Sequence, residues 1–429
     1  MKSLFRKIVL KVLEVLARIK LKRMGAKTIG ITGAVGKTSC KEVVFSVLAK
    51  KYKVLRNEKS FNSEFGLPLT ILHQKSGFSS PVQWLKILVK GFFRTFFVKD
   101  KYDFIILEMG VDKAGDMDFL TKIAPPDIAL ITAIKPVHMA SGQFATVNEI
   151  FNEKKKIFDS LKNDGIALIA IDDKFVGSLA NSVECKKCIT YGVSGNAKVH
   201  ARNVTQAEKG LTFSVHYQNK EYQFRTNLFG EYQLSILMPA IILGLINDVP
   251  IQEIQDAIAS FRLPPGRLSL IKGTKDTLIL DSSYNASPEA VIESLKVLDF
   301  FGKKRNKRRI FLFGNMNELG QNSRELHENV GKQIPASTDI LITVGEDVKF
   351  AADQAIKGGL AAENIRTLNS AKEAADYYKK IMQEGDIILA KGSQNKVRLE
   401  IFVKELMANP EEAKEKLVRQ GKNWENIAP

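Results

Sequence analysis

Residues 28 to 42, Thr28-Ile-Gly-Ile-Thr-Gly-Ala-Val-Gly-Lys-Thr-Ser-Cys-Lys-Glu42, commit the chain to a strand, a glycine-spaced turn and a helix in immediate succession. Ile29 and Ile31 open it as a strand, and Val43, Val44, Phe45, Val47 and Leu48 continue as a helix-compatible stretch. Gly33 and Gly36 let the Gly33-Ala34-Val35-Gly36 backbone turn. Successive N–H groups, with the helix start at Lys37, Thr38 and Ser39, then point at a polyphosphate. Lys37 would reach the terminal phosphates and Thr38 would ligate Mg²⁺. The common loop has glycine where this chain has Ile31, so the fit is to the shorter Thr-Gly-x-x-Gly-Lys-Thr form. An ordinary strand-to-helix turn is the alternative, and Lys-Thr at this place counts against it.

With 429 residues, 45% of them hydrophobic, the chain can build two or three domains, each with its own core. From Lys27 to about Asn247, β-branched runs alternate with helical stretches, as in Phe104–Leu107, Ile128–Ile131 and Ile166–Ile169. That alternation predicts an α/β domain with a mostly parallel sheet. Residues 198–229, with Thr212–Tyr217 and Glu221–Phe224, read as a small antiparallel insertion. Leu263-Pro-Pro-Gly266 punctuates the chain, and a second α/β pattern follows through Leu278–Leu280, Ile310–Phe313, Ile340–Thr343 and Ile387–Leu389. The expected domains are 1–25, a basic amphipathic helix; 26–262, a central nucleotide-binding domain; and 263–429, a Rossmann-like C-terminal domain. Lys303 to Arg309, six positive residues in seven, reads as a solvated loop before a strand.

The chain carries 64 Lys and Arg against 47 Asp and Glu, a net +17, which suits a polyanionic ligand, an anionic membrane face or nucleic acid without choosing among them. No nucleic-acid reading element accompanies the charge, so nucleic acid is not expected as a partner. In residues 2–23, Lys7, Lys11, Arg18 and Lys22 share one helical side, and Phe5, Ile8, Val12, Leu16 and Ile19 occupy another. That apolar side either packs on the protein body or lies on an anionic membrane surface. Trp84 to Lys99 combines aromatics with lysines in the same manner. Charges interrupt every apolar run well before the roughly 20 residues a bilayer needs, and no secretory signal is visible. Cys40, Cys185 and Cys188 make no disulfide framework and no zinc site, consistent with a reduced, cytoplasmic setting.

Glu108 ends the run Phe104–Leu107, where carboxylates of nucleotide-binding sheets face the ligand crevice and can hold Mg²⁺. Thr132 ends the next strand and His138 follows six residues on. Lys154, Lys155 and Lys156 read, on their own, as a solvated face or as a second anion clamp. After Pro265-Gly266, Arg267 is placed to reach a transferring phosphate, or to make a surface ion pair. Tyr284 and Asn285 could stack on and hydrogen-bond a purine and its ribose.

Taken in order, Thr32-Gly-Ala-Val-Gly-Lys-Thr38, Asn62-Ser-Glu-Phe-Gly-Leu-Pro68, Glu108-Met-Gly110, Thr132 with Ile134 and His138, Gly266-Arg267, Ser283-Tyr-Asn-Ala-Ser-Pro288, Gly314-Asn-Met-Asn-Glu-Leu-Gly320 with His327, and Lys391-Gly-Ser393 resemble the Mur ligases. The nearest pattern is that of the members that add D-alanyl-D-alanine to a UDP-muramoyl tripeptide in peptidoglycan precursor synthesis. The resemblance runs from about Ala26 to Arg398. It implies an ATP-dependent, Mg²⁺-requiring amide ligase that works through an acyl phosphate. Carried over by position, Lys37 would stabilise the transferring phosphoryl group and Thr38 would hold one Mg²⁺. Glu108 and His138 would hold a second Mg²⁺, Arg267 would act from the C-terminal domain, and Tyr284 and Asn285 would lie on the adenine side. Asn62, Lys391 and Ser393 would contact substrate. The family's carbamylated lysine aligns best with Lys154, with Lys155 one residue off, and the glutamate usually found two residues later is Lys156.

Three departures bear on the substrate. The family's first domain, which grips the UDP-sugar, has only residues 1–25 in its place. The family's Gly-x-His-Asn segment reads Gly230-Glu-Tyr-Gln233, and the aspartate pair before Ser-Tyr-Asn is reduced to Asp281-Ser282. Other acceptors, such as a lipid-linked precursor or a polyamino acid, and a membrane-associated ATP-binding scaffold without ligase activity are the alternatives. Joint retention of Lys37, Glu108, His138 and Arg267 counts against the scaffold.

Overall fold

In the computed structural model the described residues are 3–58, 61–78, 80–137, 139, 142–181, 187–394, 397–421 and 424. The chain forms two compact units. The first holds Met1–Thr205, Leu211–Asn227 and Gln233–Phe261; the second holds Gln206–Gly210, Leu228–Tyr232 and Arg262–Pro429.

The larger sheet contains β1 (Lys27–Thr32), β2 (Val54–Arg56), β3 (Phe104–Glu108), β4 (Ile128–Ile131), β5 (Ile166–Ala170), β6 (Lys187–Gly192), β7 (Val199–Ala207), β8 (Gly210–Tyr217) and β9 (Lys220–Thr226). Among the described residues their spatial order is β2-β3-β1-β4-β5-β6-β7-β8-β9. The strands from β2 to β7 pair in parallel. β3 and β4 are buried along their whole length, as expected where helices cover both faces of a parallel sheet. The antiparallel pairing expected near residues 198–229 is present between β8 and β9. It does not form a separate insertion, because β7 pairs in parallel with β6 through Tyr191 with Val199 and Gly192 with His200 and so extends the main sheet.

The helix Ser3–Met24 packs on the helix Pro81–Phe97. Its buried face is Val9, Leu13, Leu16, Ala17, Leu21 and Met24, whereas Ile8 and Val12, expected on the apolar side to be covered, are 52% and 37% exposed. The difference has a charge-pairing cause. Glu14 and Lys20 lie on the inner face, where Lys20 meets Asp100 at 2.7 Å and Glu14 meets Lys11 at 3.0 Å and Lys122 at 3.3 Å. Cys40 is a buried free thiol, but Cys188 is disulfide-bonded, so the expectation of unpaired cysteines holds for Cys40 and not for Cys188. Cys185 lies outside the described residues.

The second unit carries β10 (Ser269–Lys272), β11 (Leu278–Ser282), β12 (Arg309–Gly314), β13 (Ile340–Val344), β14 (Ile365–Leu368) and β15 (Ile387–Lys391), in spatial order β10-β11-β15-β12-β13-β14. β10 runs antiparallel to β11 and the other pairs are parallel. Strand alternation sends Leu280, Phe311, Phe313, Leu341 and Leu389 into one core and Ile279, Ile310, Leu312, Ile342 and Ile388 into another, one on each face. The basic run 303–309 is not a solvated loop. Lys303 to Arg305 finish the helix Pro288–Arg305, Asn306 caps it in the left-handed conformation, and Arg308 and Arg309 pair with Asp386 at 2.8 Å and Asp339 at 2.6 Å.

Candidate nucleotide and metal site

Three neighbouring parallel strands deliver the first unit's site. β1 lies between β3 and β4, with Ile31 opposite Glu108 and Thr32 opposite Ile131, so the loop 33–36, Glu108 and Thr132 emerge together at the strands' C-terminal ends. Ligands of open α/β sheets bind at that edge. Gly33 has φ 145°, and a Cβ there would stand 2.0 Å from Thr132 Oγ1. Thr132 Oγ1 donates within this turn, with Val35 O and Thr32 O as its acceptors, and Ala34 N donates to Ala133 O at 2.7 Å. The loop is thus pinned from β4. Gly36, at φ 82°, precedes the helix Lys37–Leu48, whose first turn has no side-chain cap at Gly36 and directs its N–H groups outward.

Lys37 Nζ donates to Gly33 O at 2.8 Å and Ala34 O at 3.1 Å, which holds the ammonium over the loop. Thr38 Oγ1 donates to Glu108 Oε1 at 3.2 Å, and Asn62 Nδ2 donates to the same oxygen at 3.0 Å. Glu108 is 2% exposed; its Oε2 accepts no hydrogen bond and has Lys41 Nζ at 3.6 Å. Asn57 clamps the Glu108 backbone from both sides, accepting from its N–H at 2.9 Å and donating to its carbonyl at 3.2 Å. A hydroxyl and a buried carboxylate with a spare lone pair make a hard-oxygen donor set of the kind Mg²⁺ takes, since that ion keeps several waters and needs few protein ligands. Among the described residues no group of three or more His, Cys, Asp or Glu is placed to hold a metal. His138 lies outside the described residues.

Of the three tandem lysines only Lys154 is buried; Lys155 and Lys156 are part-exposed. Lys156 reaches the buried Glu153 at 2.8 Å and the exposed Asp118 at 2.7 Å. Lys154 Nζ is buried without a hydrogen-bond partner. Burial holds its amine well below the ordinary lysine range, the charge of Lys37 pushes the same way, and Asp112, Glu153 and Asp116 oppose them. The solvated-face reading therefore fails at Lys154.

In the second unit the Arg267 guanidinium lies 3.9 Å from the Tyr284 ring centroid, a cation–π stack. Gly266, at φ 72°, accepts from Tyr284 N at 3.0 Å, and a Cβ at 266 would meet Tyr284 N at 3.0 Å and Val418 Cγ1 at 2.9 Å. Lys391 and Ser393 hold this loop. Lys391 Nζ donates to Ser282 Oγ at 3.0 Å and Asn285 O at 3.2 Å, and Ser393 Oγ donates to Ala286 O at 3.2 Å while accepting from Asn317 N at 2.9 Å. Burial lowers the Lys391 ammonium to about 8 and raises the Asp281 carboxyl to about 6, with Asp281 Oδ1 accepting from Ser283 N at 3.1 Å. His327 is buried, with Nε2 accepting from Met316 N at 3.1 Å, so it shapes the loop after β12. Sequence reading missed Asn57, Lys41 and Arg419, which donates to Ser283 O at 2.7 Å and Glu400 at 2.8 Å. Lys41 had a signal: it lies one helical turn beyond Lys37, on the same face.

A family model described as the Mur ligase middle domain matches residues 31–244, and one described as the Mur ligase, glutamate ligase domain matches residues 266–394. The UDP-N-acetylmuramoyl-tripeptide--D-alanyl-D-alanine ligase of Bacillus subtilis (strain 168) is 29% identical over 402 residues, covering 93% of this chain and 79% of that protein. The Escherichia coli (strain K12) protein of the same name is 23% identical, covering 75% of this chain and 65% of that one. Among solved structures, MurF from Acinetobacter baumannii superposes with a TM-score of 0.77 at 20% identity, covering 92% of this chain and 80% of that one. The MurF ligase of Thermotoga maritima in complex with ADP gives 0.75 at 24%, covering 92% and 83%. With both catalytic-domain models matched in order and the phosphate loop, Glu108 and Thr38 meeting at one sheet edge, the chain belongs to the Mur ligase family.

Proposed function

We propose that this protein is an ATP-dependent ligase that joins D-alanyl-D-alanine to the terminal carboxylate of a UDP-muramoyl peptide in peptidoglycan precursor synthesis. The observation that carries it is the Thr38–Glu108 contact beside Lys37, in a chain 29% identical to the Bacillus subtilis ligase across 93% of its length. An acceptor carboxylate oxygen attacks the γ-phosphorus of ATP, the bond to the bridging oxygen breaks, and ADP leaves. The dipeptide amine then attacks the acyl carbon, loses a proton and expels inorganic phosphate. Both partners of the first step are anions, so it needs positive charge concentrated at one point. In this reading Lys37 supplies it from the loop, with Ala34, Val35, Gly36 and Ser39 binding phosphate, while Arg267, stacked on Tyr284, and Asn285 keep the phosphate and adenine roles that the family pattern implies. Mg²⁺, held by Thr38, Glu108 and His138, would neutralise phosphate charge when bound.

Lys154 fits the role of a carbamylated lysine better than Lys155, because its amine is buried without a hydrogen-bond partner and burial disfavours the charged form, which cannot add CO₂. Asn62 acts through Glu108, and Lys391 and Ser393 by holding the 283–287 loop. Residues 26–262 would form the ATP-binding domain and 263–429 the C-terminal domain, behind the helix of 1–25. We infer that the reaction runs in the cytoplasm, with the protein in peripheral contact with an anionic membrane face. Among the described residues no helix is long and apolar enough to cross a membrane. The test is ADP and phosphate release by purified protein with a panel of UDP-muramoyl peptides. Turnover that needs both a muramoyl acceptor and D-alanyl-D-alanine supports the assignment; ATP hydrolysis indifferent to every muramoyl acceptor refutes it.

A further inference from the structure

The helix Pro81–Phe97 buries Trp84, Ile87, Gly91 and Thr95 on its inner side, where Gly91 lies close to Leu16 and Thr95 Oγ1 donates to Gly91 O. Its other side is apolar and uncovered: Leu85 is 61% exposed, Phe92 48%, Phe93 57% and Phe97 72%. Phe92 packs tilted against Phe96 at 4.8 Å, Phe93 tilted against Phe97 at 5.7 Å, and Phe92 edge-on to Phe93 at 5.9 Å, so the face is a continuous aromatic surface. Monomeric soluble proteins rarely leave such a patch unused. The helix contains no Asp or Glu, and its cations are Lys86, Lys90 and Arg94. Asp100, just beyond it, is already paired with Lys20 and Arg94. The neighbouring helix Ser3–Met24 adds Lys7, Lys22 and Arg23, with Lys11 already paired to Glu14, and exposes Leu4, Ile8 and Val15.

We infer that this outer face docks the protein onto an anionic lipid bilayer, with the phenylalanines in the headgroup–acyl boundary and Lys86 and Lys90 at the phosphates. Exposed aromatics flanked by uncompensated lysines are the composition of an interfacial helix, and lysine stems can lie along the apolar surface while their ammonium groups reach outward. A second copy of the chain fits poorly, because a two-fold contact would set the same lysines against one another. The inference rests on and deepens the peripheral membrane contact proposed above, and stands apart from the assignment of the reaction, which phosphate release tests separately.

The test is sedimentation of the full chain with phosphatidylcholine vesicles, with and without 30% phosphatidylglycerol by design, alongside the L85Q/F93Q/F97Q and K86E/K90E variants. All five positions are exposed, and circular dichroism and melting verify the fold. The protein should pellet with anionic vesicles, be released by high salt, and lose at least about tenfold in partitioning in each variant. ADP binding should be the same in all three proteins. Failure to pellet with anionic vesicles overturns the inference, as does equal, salt-insensitive binding to neutral ones. Concentration-dependent self-association that the triple variant abolishes, without vesicle binding, also overturns it and makes the face an interface between copies.

Discussion

Replacing Gly33 by alanine separates backbone conformation from sterics in the phosphate loop. At φ 145° an L-residue is strained, at a cost of about 1–3 kcal/mol. The new Cβ would also fall 2.0 Å from Thr132 Oγ1, so the hydroxyl must leave the Val35 and Thr32 carbonyls, losing about 0.5–1.5 kcal/mol for each hydrogen bond. Gly33→Ala should therefore destabilise the protein by about 2–6 kcal/mol. Thr132→Ala alone removes the same hydrogen bonds without the strain and should cost about 1–3 kcal/mol. In the double variant the clash is gone, so the two losses should fall short of additivity by about 1–3 kcal/mol. Urea unfolding of the four proteins, with ADP affinity measured in parallel, gives the cycle. Additivity within about 0.5 kcal/mol would refute the claim that Thr132 braces the loop through the space Gly33 leaves open.

Lys37→Ala should lower ligation by about 10³-fold with the melting temperature little changed, read by phosphate release; full activity would remove Lys37 from the chemistry. Protein equilibrated with ¹³C-bicarbonate should show a bound carbamate resonance that Lys154→Gln lacks, and a resonance that persists in that variant would shift the assignment to another lysine. Asp281, raised from 3.8 to about 6 by burial, binds its proton more tightly folded than unfolded. Its contribution is present below about pH 4 and is lost as pH rises to about 6, a penalty of about 3 kcal/mol at neutrality. Asp281→Asn should therefore be the more stable protein at pH 7 and show a flatter stability profile between pH 4 and 6; an unchanged slope in urea titrations would refute that environment.

The phosphate loop and the core strands were legible because glycine spacing and β-branched runs are local properties. Every strand run singled out along the sequence is found within a residue or two of its expected place. The fate of the tandem lysines was harder, since composition treats Lys154, Lys155 and Lys156 alike. Helical phase distinguishes them: Lys154 shares a buried stripe with Ile150 and Ile157 on the helix Val147–Asp159, and Lys156 does not. The helix Ser3–Met24 defeated phase reasoning because apolar residues surround it, and its inner face was chosen by Glu14 and Lys20 finding distant partners. Arg308 and Arg309 misled for the same reason: their carboxylates arrive from sequence positions 386 and 339. The clamp of Asn57 on Glu108 spans 51 residues, beyond any local pattern.

The inward-facing charges of the first helix set a practical boundary for handling this molecule. A fusion tag joined ahead of Ser3 leaves Glu14, Lys20 and the seam they lock intact. A trimmed version starting at Ala26 would leave Asp100 with Arg94 alone and bare the inner surface of the phenylalanine-rich helix, and should come out of expression as insoluble material.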